Sequence, residues 1–331
     1  MSNYAQLIRK FQGAKVLIVG DVMIDAYLSG TVSRMSPEAP VPVVSIEEEV
    51  YRLGGAANVA LNILTLGAEP IICSVIGERK AERFFTLLRN RGFSEKGIIV
   101  SKTRKTTQKT RVIDQGKHLL RVDEEDVHDL SEDEENQLLD KLKDLIAEEK
   151  IDVVIFQDYN KGVLTEKVIT EGIERSKAYN IPTAVDPKLN QFLSYKGVTL
   201  FKPNLKELRE GLELEVDGSI EESVEQAMNT LASHLGNQIS FVTLSEYGVA
   251  IKSADEFQKY EAHERDILDV SGAGDTVISV ASLCLARGAG INQIAQLANL
   301  AGGLVCEKVG VVPISAEELI LAAQSQLHAS K

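Results

Sequence analysis

Tryptophan is absent from this chain of 331 residues and aromatic residues make up only 5% of it. Its core must therefore be aliphatic, and a hydrophobic fraction of 44% is ample for one of good size. Cysteine is scarce. The three present (Cys73, Cys284 and Cys306) are odd in number, lie in apolar segments and have no Cys/His spacing suited to zinc. They read as free buried thiols of a reducing compartment. Positive charge is also short: 36 Lys and Arg face 49 Asp and Glu, a net −13. Nucleic acid or an anionic membrane would not be steered to such a surface, although a small anionic substrate answers to local charge. No apolar run approaches 18 residues, and the N-terminus lacks the apolar core of a signal peptide. The expectation is a cytoplasmic protein. Two nucleotide fingerprints are missing. The first strand end has no Gly-x-Gly-x-x-Gly, and Gly116-Lys117 runs into His118 with no glycine five residues before Gly116, so there is no Walker loop.

What is present alternates. Residues 15–21, 70–77, 151–158, 183–186, 198–203 and 239–245 are short, β-rich and mostly continuously apolar, as in strands buried on both faces. Between them lie helical patterns. Residues 136–150 set Leu138, Leu139, Leu142, Leu145 and Ile146 on one face, whereas 57–66 and 291–308 are apolar throughout and should be buried. The pattern predicts an α/β, doubly wound, mostly parallel sheet covered by helices on both faces. Two segments depart from it. Residues 26–53 carry three prolines and an alternating run, and residues 97–122 alternate again around a Gln115-Gly116-Lys117 turn. Both read as half-exposed antiparallel strands of one small sheet, a lid over a site or a contact between subunits. The acidic run 123–135 reads as a solvated helix start. With no repeat, low-complexity tract or linker, 1–331 is expected to form a single domain.

The richest stretch is Asp269-Val270-Ser271-Gly272-Ala273-Gly274-Asp275-Thr276, ahead of an apolar helical run over 277–287. Two glycines at a helix start let backbone N–H groups converge on one point, which the helix dipole makes attractive to an anion. A carboxylate at that edge is a candidate general base for phosphoryl transfer to an alcohol, which needs a proton acceptor beside fixed dipoles. The same segment also reads as a glycine-rich turn whose Asp caps the helix. Asp21 and Asp25, at the end of the first strand, are good acceptors for sugar hydroxyls or simply strand-end turn residues. Gly54-Gly55-Ala56-Ala57-Asn58 allows a ligand close to the backbone, or is a tight loop against the sheet. Asn204 and Glu207 are spaced as a helix-capping pair, yet a carboxylate there can hold Mg²⁺ through water. Ser245 and Gly248 follow another strand end, where nucleotide contacts fit.

Taken together these residues resemble the ribokinase-like (PfkB) family of carbohydrate kinases, over nearly the whole chain. The resemblance runs from Gly20-Asp21 through Gly54-Gly55-Ala56-Ala57-Asn58-Val59-Ala60 and Pro203-Asn204-Leu205-Lys206-Glu207 to the Gly272-Ala273-Gly274-Asp275 segment. It implies a doubly wound sheet with a small β-lid, ATP and Mg²⁺ as cofactors, and Asp275 as the base beside an anion hole of the Gly272, Ala273 and Gly274 amides. It further implies nucleotide contacts at Asn204, Ser245, Gly248, Ser271, Gly272, Gly274 and Asn299, with Glu207 holding the metal through water. Within the family, Ser33-Arg34-Met35-Ser36-Pro37-Glu38-Ala39-Pro40-Val41-Pro42-Val43, Thr107-Gln108-Lys109-Thr110-Arg111-Val112, Asp158-Tyr159-Asn160-Lys161-Gly162 and Asp186-Pro187-Lys188 resemble the branch acting on a heptose 7-phosphate at its anomeric hydroxyl. That branch implies a sugar subsite from Asp21, Asp25, Gly54, Gly55, Asn58 and Asp158, with Arg34, Lys109, Arg111, Lys161 and Lys188 as candidates for the sugar's own phosphate.

Two departures stand out. Ser271 replaces the more usual Thr, and no His-x-Gly-His nucleotidyltransferase motif follows, so the expectation is a chain that phosphorylates without adenylylating. A homodimer through the lid is expected, with a sugar phosphate and ATP as the small-molecule partners. A kinase for a different sugar and a catalytically silent sugar-binding regulator are the competing readings. The intact Asp275 and its glycines weigh against the second.

Overall fold

The computed structural model describes residues 3–254, 256–263 and 265–327. The chain opens with α1 (Asn3–Arg9), β1 (Lys15–Gly20), β2 (Val22–Met35), β3 (Pro42–Gly55) and α2 (Ala56–Thr65). Next come β4 (Glu69–Gly77), α3 (Ala81–Arg89), β5 (Ile98–Ser101), β6 (Gln108–Asp114), β7 (Lys117–Glu124) and α4 (Glu132–Glu148). The middle is built from β8 (Val153–Gln157), α5 (Glu166–Ala178), β9 (Thr183–Asp186), β10 (Leu200–Phe201), α6 (Leu205–Leu212) and α7 (Glu221–Leu235). The last part comprises β11 (Ile239–Thr243), β12 (Val249–Lys252), β13 (Phe257–Tyr260), α8 (Ala273–Ala286), α9 (Ile291–Cys306) and α10 (Ala316–Gln326).

Among the described residues the strands form two sheets: nine in the order β13-β12-β11-β10-β9-β8-β1-β4-β5, and four in the order β3-β2-β6-β7. The larger is parallel from β11 to β5, with β12 and β13 added antiparallel at one edge. The period of two along β1 sorts its side chains between two cores. Val16 and Ile18 pack with α2, α8 and α9, whereas Leu17 and Val19 pack with α4, α5 and α7. Burial on both faces is why the strands read as unbroken apolar runs. Helix α4 begins four residues before the expected start, because Ser131 and Glu134 close a capping box ahead of the apolar face.

The lid is present but built differently from the expectation in two respects. Ile98–Ser101 pairs with β4 at the edge of the main sheet. An edge strand is half-exposed, so its alternation imitates that of a lid strand, and the second lid segment starts at Gln108. Moreover β2 and β6 run parallel; only the β2–β3 and β6–β7 pairs are antiparallel. The turn between β6 and β7 is the expected one, with positive φ at Gln115 (45°) and Gly116 (83°) as a two-residue hairpin requires. Strands β12 and β13 were not legible in advance.

Candidate active site

The carboxyl ends of β8, β9, β10 and β11 open into one cleft of about 530 Å³, which the N-terminus of α8 also lines. Its lining includes Gln157, Tyr159, Asp186, Lys188, Lys202, Asn204, Thr243, Ser245, Gly272, Gly274 and Asp275. The strand order in the sheet reverses at β1, which has β4 on one side and β8 on the other, the place where open α/β sheets hold ligands.

Helix α8 starts from Gly272 at φ 82°, a left-handed conformation that glycine adopts without strain. The first-turn N–H groups lack acceptors within the helix, and Gly272, Gly274 and Asp275 line the cleft; the Ala273 N–H, expected in the anion hole, instead donates to the Val270 carbonyl at 3.3 Å. Gly274 lies over a buried ion pair, since a Cβ placed on it would sit 3.9 Å from Asp186 Oδ2 and 4.0 Å from Lys202 Nζ. That pair is closed by a 3.1 Å contact between Lys202 Nζ and Asp186 Oδ1. Asp275, in the first turn of α8, is only 8% exposed. Its Oδ2 accepts from Asn58 Nδ2 at 2.6 Å, and its Oδ1 accepts from the Tyr159 hydroxyl at 2.6 Å and more distantly from Gln157 Nε2 at 3.4 Å. Burial pushes its pKa up to about 6, against the hydrogen bonds from Tyr159 and Asn58. A carboxylate half-titrated near neutrality is suited to accepting a proton.

The residues expected to bind the sugar lie on β2, on β3 and at the start of α2. Asp25 lies beside Gly54, where a Cβ would come within 2.2 Å of Asp25 Oδ2, and Gly55 has φ 60°. Both glycines are thus required by space or backbone. Asp25 Oδ1 accepts from Arg111 Nη1 at 2.6 Å. Lys161 pairs with Glu125 at 2.7 Å, and Lys109 lies 3.5 Å from Asp123 and 3.6 Å from Glu125. Lys188 pairs with Glu207.

Three expectations change. Asp21 does not face the cleft: it is 1% exposed, and its carboxylate accepts the backbone N–H groups of Tyr159, Lys161 and Val163 at 2.8, 3.1 and 3.0 Å. It braces the loop after β8. Asp158, 2% exposed, accepts from the Tyr195 hydroxyl and the Asn160 amide, and burial beside Asp21 raises it to about 6. It too supports the loop from behind. Arg34 is exposed at the far end of the lid, paired with Val43. It stands nine residues beyond Asp25, about 30 Å along the strand, so its own chain does not bring it to the cleft.

Nucleotide candidates fall around a second cavity of about 460 Å³ that shares Thr243, Ser245, Val270 and Gly274 with the first. Gly248, His263, Ile267, Val277, Asn299 and Cys306 line it. Ser271 lines neither cavity and donates its N–H to Asp269 Oδ1 at 2.9 Å. Glu207 closes a reciprocal capping box with Asn204, and its other oxygen takes Lys188. Sequence reasoning passed over Tyr159, Gln157, Asp186, Lys202 and Thr243. The first and third stood inside motifs already singled out for their neighbours, and Lys202 immediately precedes Pro203-Asn204.

An α/β sheet with a β-lid, an anion-binding helix start and a buried carboxylate define a sugar-kinase site. Residues 14–318 match the family model described as pfkB family carbohydrate kinase. The chain belongs to that family and is a carbohydrate kinase. It is 40% identical over 324 residues, 97% of its length, to the bifunctional protein HldE of Paramagnetospirillum magneticum. To the bifunctional protein HldE of Helicobacter pylori it is 37% identical over 308 residues, 93% of its length. It spans 66% of each of these relatives. Among solved structures, phosphofructokinase-2 from Escherichia coli in complex with potassium superposes with a TM-score of 0.78 at 19% identity, covering 95% of this chain and 99% of that one. Arabidopsis thaliana ribokinase complexed with ribose and ATP gives 0.70 at 15% identity, covering 94% and 98%.

Proposed function

We propose that this kinase transfers the γ-phosphoryl of Mg·ATP to the anomeric hydroxyl of D-glycero-β-D-manno-heptose 7-phosphate, giving the 1,7-bisphosphate, in the supply of ADP-heptose for lipopolysaccharide core synthesis. The observation that carries the phosphoryl-transfer step is Asp275, buried at the start of α8 with both oxygens oriented. It removes the hydroxyl proton while the first-turn amides of α8 and the Lys202 ammonium stabilise charge on the phosphoryl in flight. An already phosphorylated acceptor is favoured by Lys188 in the cleft lining, with Lys109 and Arg111 on β6 and Lys161 on the loop after β8, on a chain of net −13. Each is held by a carboxylate that a phosphate can displace. The choice of heptose rests on the resemblance of the Ser33–Val43 and Thr107–Val112 stretches and on the HldE relatives.

Among the described residues no cluster of three or more His, Cys, Asp or Glu could cage a metal. Mg²⁺ suits such a site, because it keeps several waters and takes most remaining ligands from nucleotide phosphates. Glu207 would hold its water shell, and the ion would neutralise phosphate charge. A cytoplasmic location, where ATP is available, is part of the same proposal. No helix among the described residues is long and apolar enough to cross a membrane. The lid would pair with a second copy. Leu28, Val112 and Leu120 stand opposite one another across β2, β6 and β7, and Leu120 is 51% exposed. Only phosphorylation is assigned to these residues. The experiment is ADP release over a panel of neutral sugars and sugar phosphates including heptose 7-phosphate. Turnover confined to neutral sugars would overturn the acceptor assignment.

A further inference from the structure

We infer that Tyr159 is a positioning residue for Asp275: its phenol and the Asn58 amide each hold one carboxylate oxygen, leaving the remaining lone pairs toward the acceptor hydroxyl. The inference rests on Asp275 acting as the base. Both bonds measure 2.6 Å and come from opposite walls, Asn58 from α2 and Tyr159 from the loop after β8. A carboxylate has about four lone-pair sites, so two short donors fix its plane without saturating it. The phenol cannot exchange roles with the carboxylate, since burial and the charge of Asp275 raise Tyr159 well above the ordinary tyrosine range. It donates at every working pH.

Asp21 is what makes this arrangement stiff. Its buried carboxylate gathers the N–H groups of Tyr159, Lys161 and Val163 and so anchors the loop to the end of β1. Behind the loop, Arg104 Nη2 donates to the Lys161 carbonyl at 2.5 Å. A run of contacts therefore leads from β1 through the loop to the start of α8, and its last link is the phenol.

The groups facing Asp275 determine what the phenol does. Burial favours the neutral acid and Asp186 on β9 adds to that, whereas Tyr159, Asn58 and Lys202 favour the ion. Gln157 on β8 contributes only the long 3.4 Å bond. Loss of the phenol leaves a buried acid with one short donor. It should then ionise at higher pH, so that less of it is available as base in acid solution.

The test compares wild type, Tyr159→Phe and Asp275→Asn by kcat/KM for heptose 7-phosphate between pH 5.5 and 9, with ATP affinity as the folding control. Tyr159→Phe should move the acid limb up by about one pH unit. Activity should fall about five- to tenfold at pH 6 and stay within about threefold of wild type at pH 9. An acid limb in the same place, whatever the overall loss, overturns the inference while an inactive Asp275→Asn leaves the base assignment standing. Substantial activity in Asp275→Asn overturns both.

Discussion

Asn58 on α2 and Asp275 on α8 meet in a 2.6 Å hydrogen bond although 217 residues separate them. Two helices buried in the same core meet at this point: α2 follows directly on Gly54 and Gly55 at the end of β3, and α8 opens from Gly272. Thr276, the next residue of α8, donates its hydroxyl to Asn62 Oδ1, one turn further along α2, at 2.8 Å. The site's geometry is thus part of how α2 and α8 pack.

Asp275→Asn should lower kcat by about 10²–10⁴-fold with ATP binding retained, because the amide cannot take the proton. It should also stabilise the protein. Burial raises the folded-state pKa to about 6 from the ordinary 3.8, so the folded state holds the proton more tightly than the unfolded chain. Stability from this group is present at low pH and lost as pH rises from about 4 through 6. At pH 8 the charge costs on the order of 2–3 kcal/mol, which the amide avoids. Thermal melts should show a higher Tm for the variant at pH 8 and no difference at pH 4. A lower Tm at pH 8 would contradict the buried-charge account.

Gly54→Ala places a Cβ 2.2 Å from Asp25 Oδ2, against a side chain already tied to Arg111. The acceptor KM should rise by about tenfold or more, with the KM for ATP little changed. If both constants hold, Asp25 has no part in binding the sugar.

Glu207→Gln keeps a capping acceptor at the start of α6, so stability should change by less than about 1 kcal/mol. The Mg²⁺ concentration for half-maximal rate should rise several-fold as the charge is lost. An unchanged Mg²⁺ titration would leave Glu207 with only its capping and Lys188 contacts.

Leu120→Lys puts a charge in the middle of the lid's outward face. Sedimentation at micromolar concentration should report a dimer for wild type and a monomer for the variant. A wild-type monomer with full activity would leave the lid as a cover alone.

Much of this was legible beforehand for identifiable reasons. Strands such as β1 and β4 are buried on both faces and carry their signal in a few consecutive residues, as does the Gly272-Ala273-Gly274-Asp275 helix start. Strand β10 was read within 198–203 although only two of those residues form it, whereas the edge pair β12–β13 carries too little periodicity to be read. Strand β5 was assigned to the wrong sheet because alternation reports half-exposure and not which sheet supplies the buried face.

The sequence by itself determined the layered α/β class, the glycine-opened helix with its carboxylate and the existence of a lid, since each depends on chemistry within one short segment. Only the tertiary structure decided what the other polar residues do. Asp21 and Asp25 are four positions apart and both are acceptors for a hydroxyl, but Asp21 follows β1 whereas Asp25 lies within β2. The fold turns Asp21 inward onto three backbone amides and leaves Asp25 beside Gly54 and Arg111. Tyr159 likewise becomes a partner of Asp275 only because the loop after β8 is held against the start of α8. A polar side chain's role depends on which donors and acceptors surround it, and those come from segments far away in the chain.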